Sequence, residues 1–197
     1  MNAWHRAVAI AGLAVFVSAA GAQTATRVRG TIAAVEGSVL VVKSRDGREL
    51  KLVLADNATV AVAKAVAFAD IRQGDYVGAT TRPGPADTLV ALEVHYLAPT
   101  VPDGHIPWDL EPGTMMTNAN VGAIVEATGA RELTLQYKAG AKKVVVPPGA
   151  PIVRTVPGTR ADLVPGEYVF IGATAAPDGA LTAARIQVSK DGVRPPQ

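Results

Sequence analysis

Short apolar runs, several of them alternating with polar positions, recur along the chain between clusters of Gly, Asp, Asn and Pro. That two-residue period predicts strands rather than helices. Arg27 to Val35 mixes β-branched and small residues, Glu36-Gly37 turns it, and Ser38 to Lys43 is dense in Val and Leu. Ser44-Arg45-Asp46-Gly47 predicts a hairpin loop, since Asp-Gly supplies positive φ at little steric cost. Glu49 to Leu54 puts Leu50, Leu52 and Leu54 on one face; Ala55-Asp56-Asn57 predicts a turn, and Thr59 to Ala63 a short strand. Further on, Leu89 to Leu97, Val121 to Ala127, Glu132 to Tyr137, Lys142 to Val146, Ile152 to Thr155, Tyr168 to Thr174 and Ala180 to Val188 read as strands. Turn signals fall at Thr128-Gly129, Ala139-Gly140, Pro147-Pro148-Gly149 and Pro177-Asp178-Gly179.

One stretch occurs twice. Ala69-Asp70-Ile71-Arg72-Gln73-Gly74-Asp75-Tyr76-Val77 returns as Ala161-Asp162-Leu163-Val164-Pro165-Gly166-Glu167-Tyr168-Val169, an offset of 92 (161 − 69 = 92). Gly30 and Ile32 match Gly122 and Ile124, while Leu89, Ala91 and Val94 match Leu181, Ala183 and Ile186. Phe170-Ile171 reads as a two-residue insertion after the position of Val77. A one-turn helix is expected at each copy, ending near Asp70 and Asp162, followed by glycines at Gly74 and Gly166 held where a side chain would be strained. The offset predicts one β-rich unit used twice.

Five or six strands in about 70 residues suit a small, partly open barrel. The expected fold is therefore all-β: two tandem small OB-like β-barrels preceded by a cleavable signal helix. The expected boundaries are a signal peptide at 1–22, a first barrel repeat at 23–98, a proline-rich linker at 99–119, a second barrel repeat at 120–190 and a tail at 191–197.

The Gly-x-Ile opening at Gly30 and Gly122, the Asp-Leu-x-x-Gly-Glu-Tyr-Val turn from Asp162 and the closing Leu-x-Ala-x-x-Ile-x-Val strand from Leu181 carry a resemblance. Together they resemble a family of exported bacterial OB-like repeat domains of unknown function, over roughly 140 residues spanning both units. The resemblance implies a fold and an exported address, and brings no catalytic residues with it.

The N-terminus changes the picture most. His5 and Arg6 precede an unbroken small-apolar run from Ala7 to Val17, and Ala20-Gly21-Ala22 is an A-x-A cleavage pattern. The run is short of the roughly 20 apolar residues a membrane span needs. Export to the periplasm or beyond is expected, with Gln23 as the mature N-terminus and no transmembrane span after cleavage. The chain of 197 residues has no cysteine, which excludes disulfides, thiol catalysis and cysteine-ligated metals. Its formal net charge of +2 and the lack of a like-charge block give no footprint for nucleic acid.

Candidate chemistry is sparse. The segment from Pro99 to Ala119 holds His105, Trp108, Met115 and Met116, and His95 lies just before it. His and Met ligate copper, so His95, His105, Met115 and Met116 form a candidate metal set, though no H-x-H or M-x-x-M spacing joins them. Without such spacing, a proline-stiffened segment whose Trp and Met side chains pack on a barrel is the simpler expectation, with Trp108 docked. Asp70, Asp75, Asp162 and Glu167 flank the repeated glycine turn and are expected to cap or turn the chain rather than catalyse. Arg45, Arg48, Lys51, Lys138, Lys142 and Lys143 fall on hairpins and are expected on solvated faces. No G-x-S-x-G, phosphate loop or H-E-x-x-H is present. The reading is an exported, non-enzymatic binding or scaffold protein without a cofactor. Its partner would be an envelope protein or a small ligand, and a periplasmic metal-handling protein is the alternative.

Overall fold

The computed structural model describes residues 24–86, 88–127 and 130–196. The expected leader at 1–22 and the turn at Thr128-Gly129 lie outside the described residues. The rest is all-β: β1 (Thr24–Glu36), β2 (Val39–Ser44), β3 (Glu49–Ala65), β4 (Tyr76–Pro83), β5 (Leu89–Tyr96), β6 (Gly104–Pro107), β7 (Met115–Ala127), β8 (Ala130–Tyr137), β9 (Gly140–Val145), β10 (Ile152–Pro157), β11 (Tyr168–Ala175) and β12 (Leu181–Val188).

Five strands close into a barrel. β1 pairs with β2, β2 with β3, β1 with β11 and β11 with β12, all antiparallel. A parallel β3–β12 ladder, with Leu181 opposite Leu52, closes the ring. Alternation along each strand turns Ile32, Leu40, Leu52, Ile171 and Ile186 inward, all fully buried. Each such side chain contributes about 1.5–3 kcal/mol by leaving water. β4, β5, β7, β8 and β9 pair in a second ring, closed more thinly by two parallel pairs, Leu89 with Val144 and Val90 with Val145. Val77, Val94, Val121, Leu133 and Leu135 fill its core.

The rings are nested in the chain. β4 to β9 lie between β3 and β11, so the second ring is inserted into the first. Residues 23–98 give β1–β3 to one ring and β4–β5 to the other, and residues 120–190 are divided in the same way. The boundaries expected at 98 and 120 therefore do not separate the rings. β10 ties them together: it runs antiparallel to the end of β3, with Val153 opposite Ala65, and parallel to β5, with Val153 opposite His95.

Other expectations change in detail. The turn at Ala55-Asp56-Asn57 is a bulge within one 17-residue strand, with Leu54 opposite Ala183 but Thr59 opposite Arg185. The exposed Asp56 and Asn57 ride the bulge without ending the strand. The short helices are 3-10 turns at Phe68–Asp70 and Arg160–Asp162, the second with a capping box between Thr159 and Asp162. Phe68 and Ile71 pack into the second core, Leu163 into the first. Gly74 and Gly166 take φ of 89° and 94°; their amides donate to the carbonyls of Val121 and Ile32. Ile32 is thus the counterpart of Val121, both 1% exposed, rather than of the half-buried Ile124. Phe170-Ile171 is no insertion, since β4 and β11 are both eight residues long and carry their register shifts at the same offset, after Thr80 and after Gly172 (172 − 80 = 92). The irregularity falls instead between Gly172 and Ala173.

The segment from Pro99 to Ala119 is folded rather than a connector. β6 pairs with the start of β7, with His105 opposite Thr117. The Thr114 hydroxyl and the Trp108 amide tie residues 108–114 into a tight loop, here termed the strap. No helix among the described residues is long and apolar enough to cross a membrane.

Candidate functional site

The pleat of β1 turns Val28 into the first core and puts Arg27 and Arg29 on the opposite face. The β2–β3 loop adds Arg45 and Arg48. All four arginines line a groove of about 460 Å³ at the mouth of the first barrel. Val28, Leu50 and Leu181 supply its apolar lining, where the barrel core comes to the surface. Barrel mouths are recurrent ligand sites, and this volume lies in the usual range of about 300–1,000 Å³.

Charge at the rim is unevenly answered. Arg48 Nε reaches Asp46 at 2.7 Å, and bonds from Ser44 and Arg48 hold the Asp46 carboxyl down to a pKa of about 2. Arg29, only 6% exposed, donates to Asp109 of the strap at 2.7 Å, while Arg27 reaches the same carboxylate at 3.5 Å. The Arg29 bond, ahead of the charges of Arg29 and Arg27, lowers the Asp109 pKa against an opposing burial effect. Arg45 donates to the Leu110 carbonyl at 3.1 Å. Arg27 and Arg29 thus share Asp109, Arg48 pairs with Asp46 and Arg45 bonds a carbonyl. The aromatic neighbours are arranged for cations too: Arg27 stacks over Trp108 at 4.3 Å and Arg29 over Phe170 at 5.0 Å. The Nε of Arg29 is buried without a hydrogen-bond partner.

A second polar cluster lies on β5. Thr80 donates to Glu93 at 2.9 Å, and His95 Nδ1 lies 3.8 Å from the same carboxylate, beyond hydrogen-bond reach. Burial pushes the His95 pKa down to about 4, so the ring is neutral near pH 7. Gly78 makes room for it, since a β-carbon there would stand 2.5 Å from His95 Nε2.

The four candidate metal ligands are not brought together. On β7, Met116 shares a face with Asn118, and Asn118 pairs through Gly78 with His95. Met115 lies on the other face with Thr117, whose hydroxyl bonds His105 Nδ1 at 2.8 Å, and His105 stacks on Tyr137. Among the described residues no three His, Asp or Glu side chains form a metal-holding group.

Three of the four carboxylates of the repeated turn have local partners, while Asp70 is exposed. Asp75 accepts from the Arg72 amide and the Tyr96 hydroxyl, each at 2.8 Å. Asp162 caps its 3-10 turn and pairs with Lys190 at 3.0 Å, and Glu167 accepts from Ser189. A second groove, of about 630 Å³, lies beside Tyr76, Tyr96 and Pro99. The Tyr76 hydroxyl there donates to the Val101 carbonyl at 2.8 Å and the Tyr96 hydroxyl to Asp75, so both phenols are already engaged.

Sequence reasoning missed the arginine rim as a unit. Arg45 and Arg48 read as solvated hairpin residues, and Arg27 and Arg29 as part of a strand. The available signal was two arginines at strand spacing in β1 beside two more in a loop, all short of a carboxylate balance. No family model, no curated protein and no solved structure matches the chain.

Proposed function

We propose that the protein is an exported, non-enzymatic binding or scaffold protein built of two OB-like units, with its ligand taken at the arginine-rimmed mouth of the first barrel. The mouth carries the reading: an apolar floor lined by arginines is a recognition surface, and its one hydroxyl–carboxylate contact, Ser44 with Asp46, belongs to the hairpin turn, where Ser44 also donates to the Arg48 carbonyl and Asp46 accepts from Arg48. The repeated carboxylates favour the same view, because each of Asp75, Asp162 and Glu167 is spent on local structure. The OB-like description rests on strand order. In each ring a three-stranded meander is closed by a two-stranded hairpin, with the third and fifth strands parallel. The closing pairs stand at one offset, Leu52 with Leu181 and Val144 with Leu89 (144 − 52 = 92; 181 − 89 = 92), as a duplicated unit would leave them. The leader pattern at 1–22 supports export to the periplasm.

The test is a thermal-shift screen of the mature protein against small acids, bases, sugars and envelope extracts, with mass spectrometry of each ligand afterwards. A binder raises Tm and is recovered unchanged. Conversion of a stabilising compound would make the protein an enzyme, and recovery of unprocessed protein from the host cytoplasm would remove the exported address.

A further inference from the structure

We infer that the mouth of the first barrel binds an anionic amphiphile: a carboxylate or phosphate head on a short apolar body, with the strap carboxylate of Asp109 competing for the same cations. This deepens the binding-protein reading and rests on it.

The head group follows from the charge. Arg27, Arg29, Arg45 and Arg48 all line the groove, with Asp46 on its wall and Asp109 of the strap as the carboxylates they pair with, although the whole chain carries a formal net charge of only +2. Guanidinium groups prefer planar oxyanions, which accept two parallel N–H bonds. Arg45 has its guanidinium on the Leu110 carbonyl, a neutral acceptor that an oxyanion outbids. Arg29 is held between Asp109 and the Phe170 ring with one N–H unanswered, so a buried positive charge stands behind the rim. A buried cation that is incompletely paired is costly to the free protein, and an anion arriving beside it lowers that cost.

The apolar body follows from the lining. Leu50 and Leu181 are half-buried at the edge of the first core, and Val28 lies beneath them. A short alkyl or aryl group laid there continues the barrel core outward, tightening binding about fourfold for each methylene removed from water. A bare inorganic anion gains only the rim; a neutral alcohol gains only the floor.

Asp109 is the built-in rival. It sits at the tip of a loop pinned by Thr114, half of its own side chain is exposed, and it contacts two of the four rim cations. Ligand and Asp109 therefore draw on the same positive charge, and removing the carboxylate should tighten binding while an acceptor oxygen stays in place.

Isothermal titration calorimetry of the full chain at low salt decides the matter with four probes: octyl phosphate, octanoate, octanol and inorganic phosphate. Octyl phosphate and octanoate are expected to bind at least about tenfold more tightly than octanol or inorganic phosphate, with affinity falling as salt rises. Arg45→Ala and Arg48→Ala, both exposed and remote from either core, are expected to weaken the anionic amphiphiles about three- to tenfold at unchanged Tm. Asp109→Asn is expected to tighten them by a similar factor. Octanoate preferred over octyl phosphate, or the reverse, tells which head group is native, and either supports the assignment. Octanol binding as well as octanoate would overturn it, as would affinities indifferent to Arg45 and Arg48, or no heat from any amphiphile. If the amphiphiles fail while another ligand class raises Tm in the screen above, the anion assignment falls and the binding-protein reading stands.

Discussion

Gly74 and Gly166 are the residues where one atom matters most. Both hold φ near +90°, and the space a β-carbon would enter is open, so a substitution there meets backbone strain alone. Gly74→Val and Gly166→Val should each cost about 1–3 kcal/mol. Chemical denaturation measures it, and an unchanged midpoint in both variants would contradict the strained geometry. These glycines were legible because the repeat set them in the same place twice. His95 was not. Nothing in the sequence around Val94 and Tyr96 says that its ring is sealed over Gly78. Its pKa of about 4 in the folded state lies below the ordinary value of 6.5, so the unfolded chain takes up a proton first as pH falls. Stability should be unaffected above about pH 6.5, decline between 6.5 and about 4, and lose this slope below that, for a total on the order of 3 kcal/mol. Urea melts across that range would show it. His95→Gln should flatten the decline, and an unchanged pH profile in that variant would assign the effect elsewhere.

At the scale of elements, most strands were readable, because local alternation and turn residues decide where a strand starts and stops. β3 and β6 were not. The polar Asp56-Asn57 pair looks like a turn, and only the parallel partner β12 keeps the strand going through a bulge. β6 is four residues with two exposed positions, and its pairing with β7 gives no periodic signal of its own. The strap that follows does what its Trp suggested in one respect, since Trp108 rests against Arg27. In protein cleaved after Ala22, Trp108 is the only tryptophan. Its emission should be blue-shifted from that of free tryptophan and only partly quenched by acrylamide, and Arg27→Ala should raise the quenching. Full quenching in the parent protein would mean that the strap lifts in solution. β10 carries a sharper test, because it is hydrogen-bonded to β3 on one side and β5 on the other. Val153→Pro removes a ladder donor from the middle of that sheet and should cost about 3 kcal/mol or more. A loss under about 1 kcal/mol on denaturation would show that the joint contributes little.

For the whole molecule, the 92-residue offset pointed to repetition but left the nesting open. The reason is physical. Leu89 and Leu181 begin the closing strands of matching hairpins, so each can close the meander of its own half or of the other with similar contacts, and alternation along a strand is blind to which. The arginine rim was hidden for the same reason, since Gly179 and Leu181 reach Arg27 and Leu50 only because a C-terminal hairpin closes an N-terminal meander. The β10 joint and the nested connections should make the two cores melt together. Scanning calorimetry is expected to give one transition with calorimetric and van't Hoff enthalpies equal, whereas two resolved peaks would mean independent barrels. The nesting also bears on the order in which the chain is made. β1 has to wait for β11, at Tyr168–Ala175, so the first meander is synthesised with its β1 edge unmatched until every strand of the second ring has been made. A protein built this way cannot mature one half at a time. Unmatched strand edges of this kind can pair with other chains, so association during refolding competes with folding until β11 and β12 arrive.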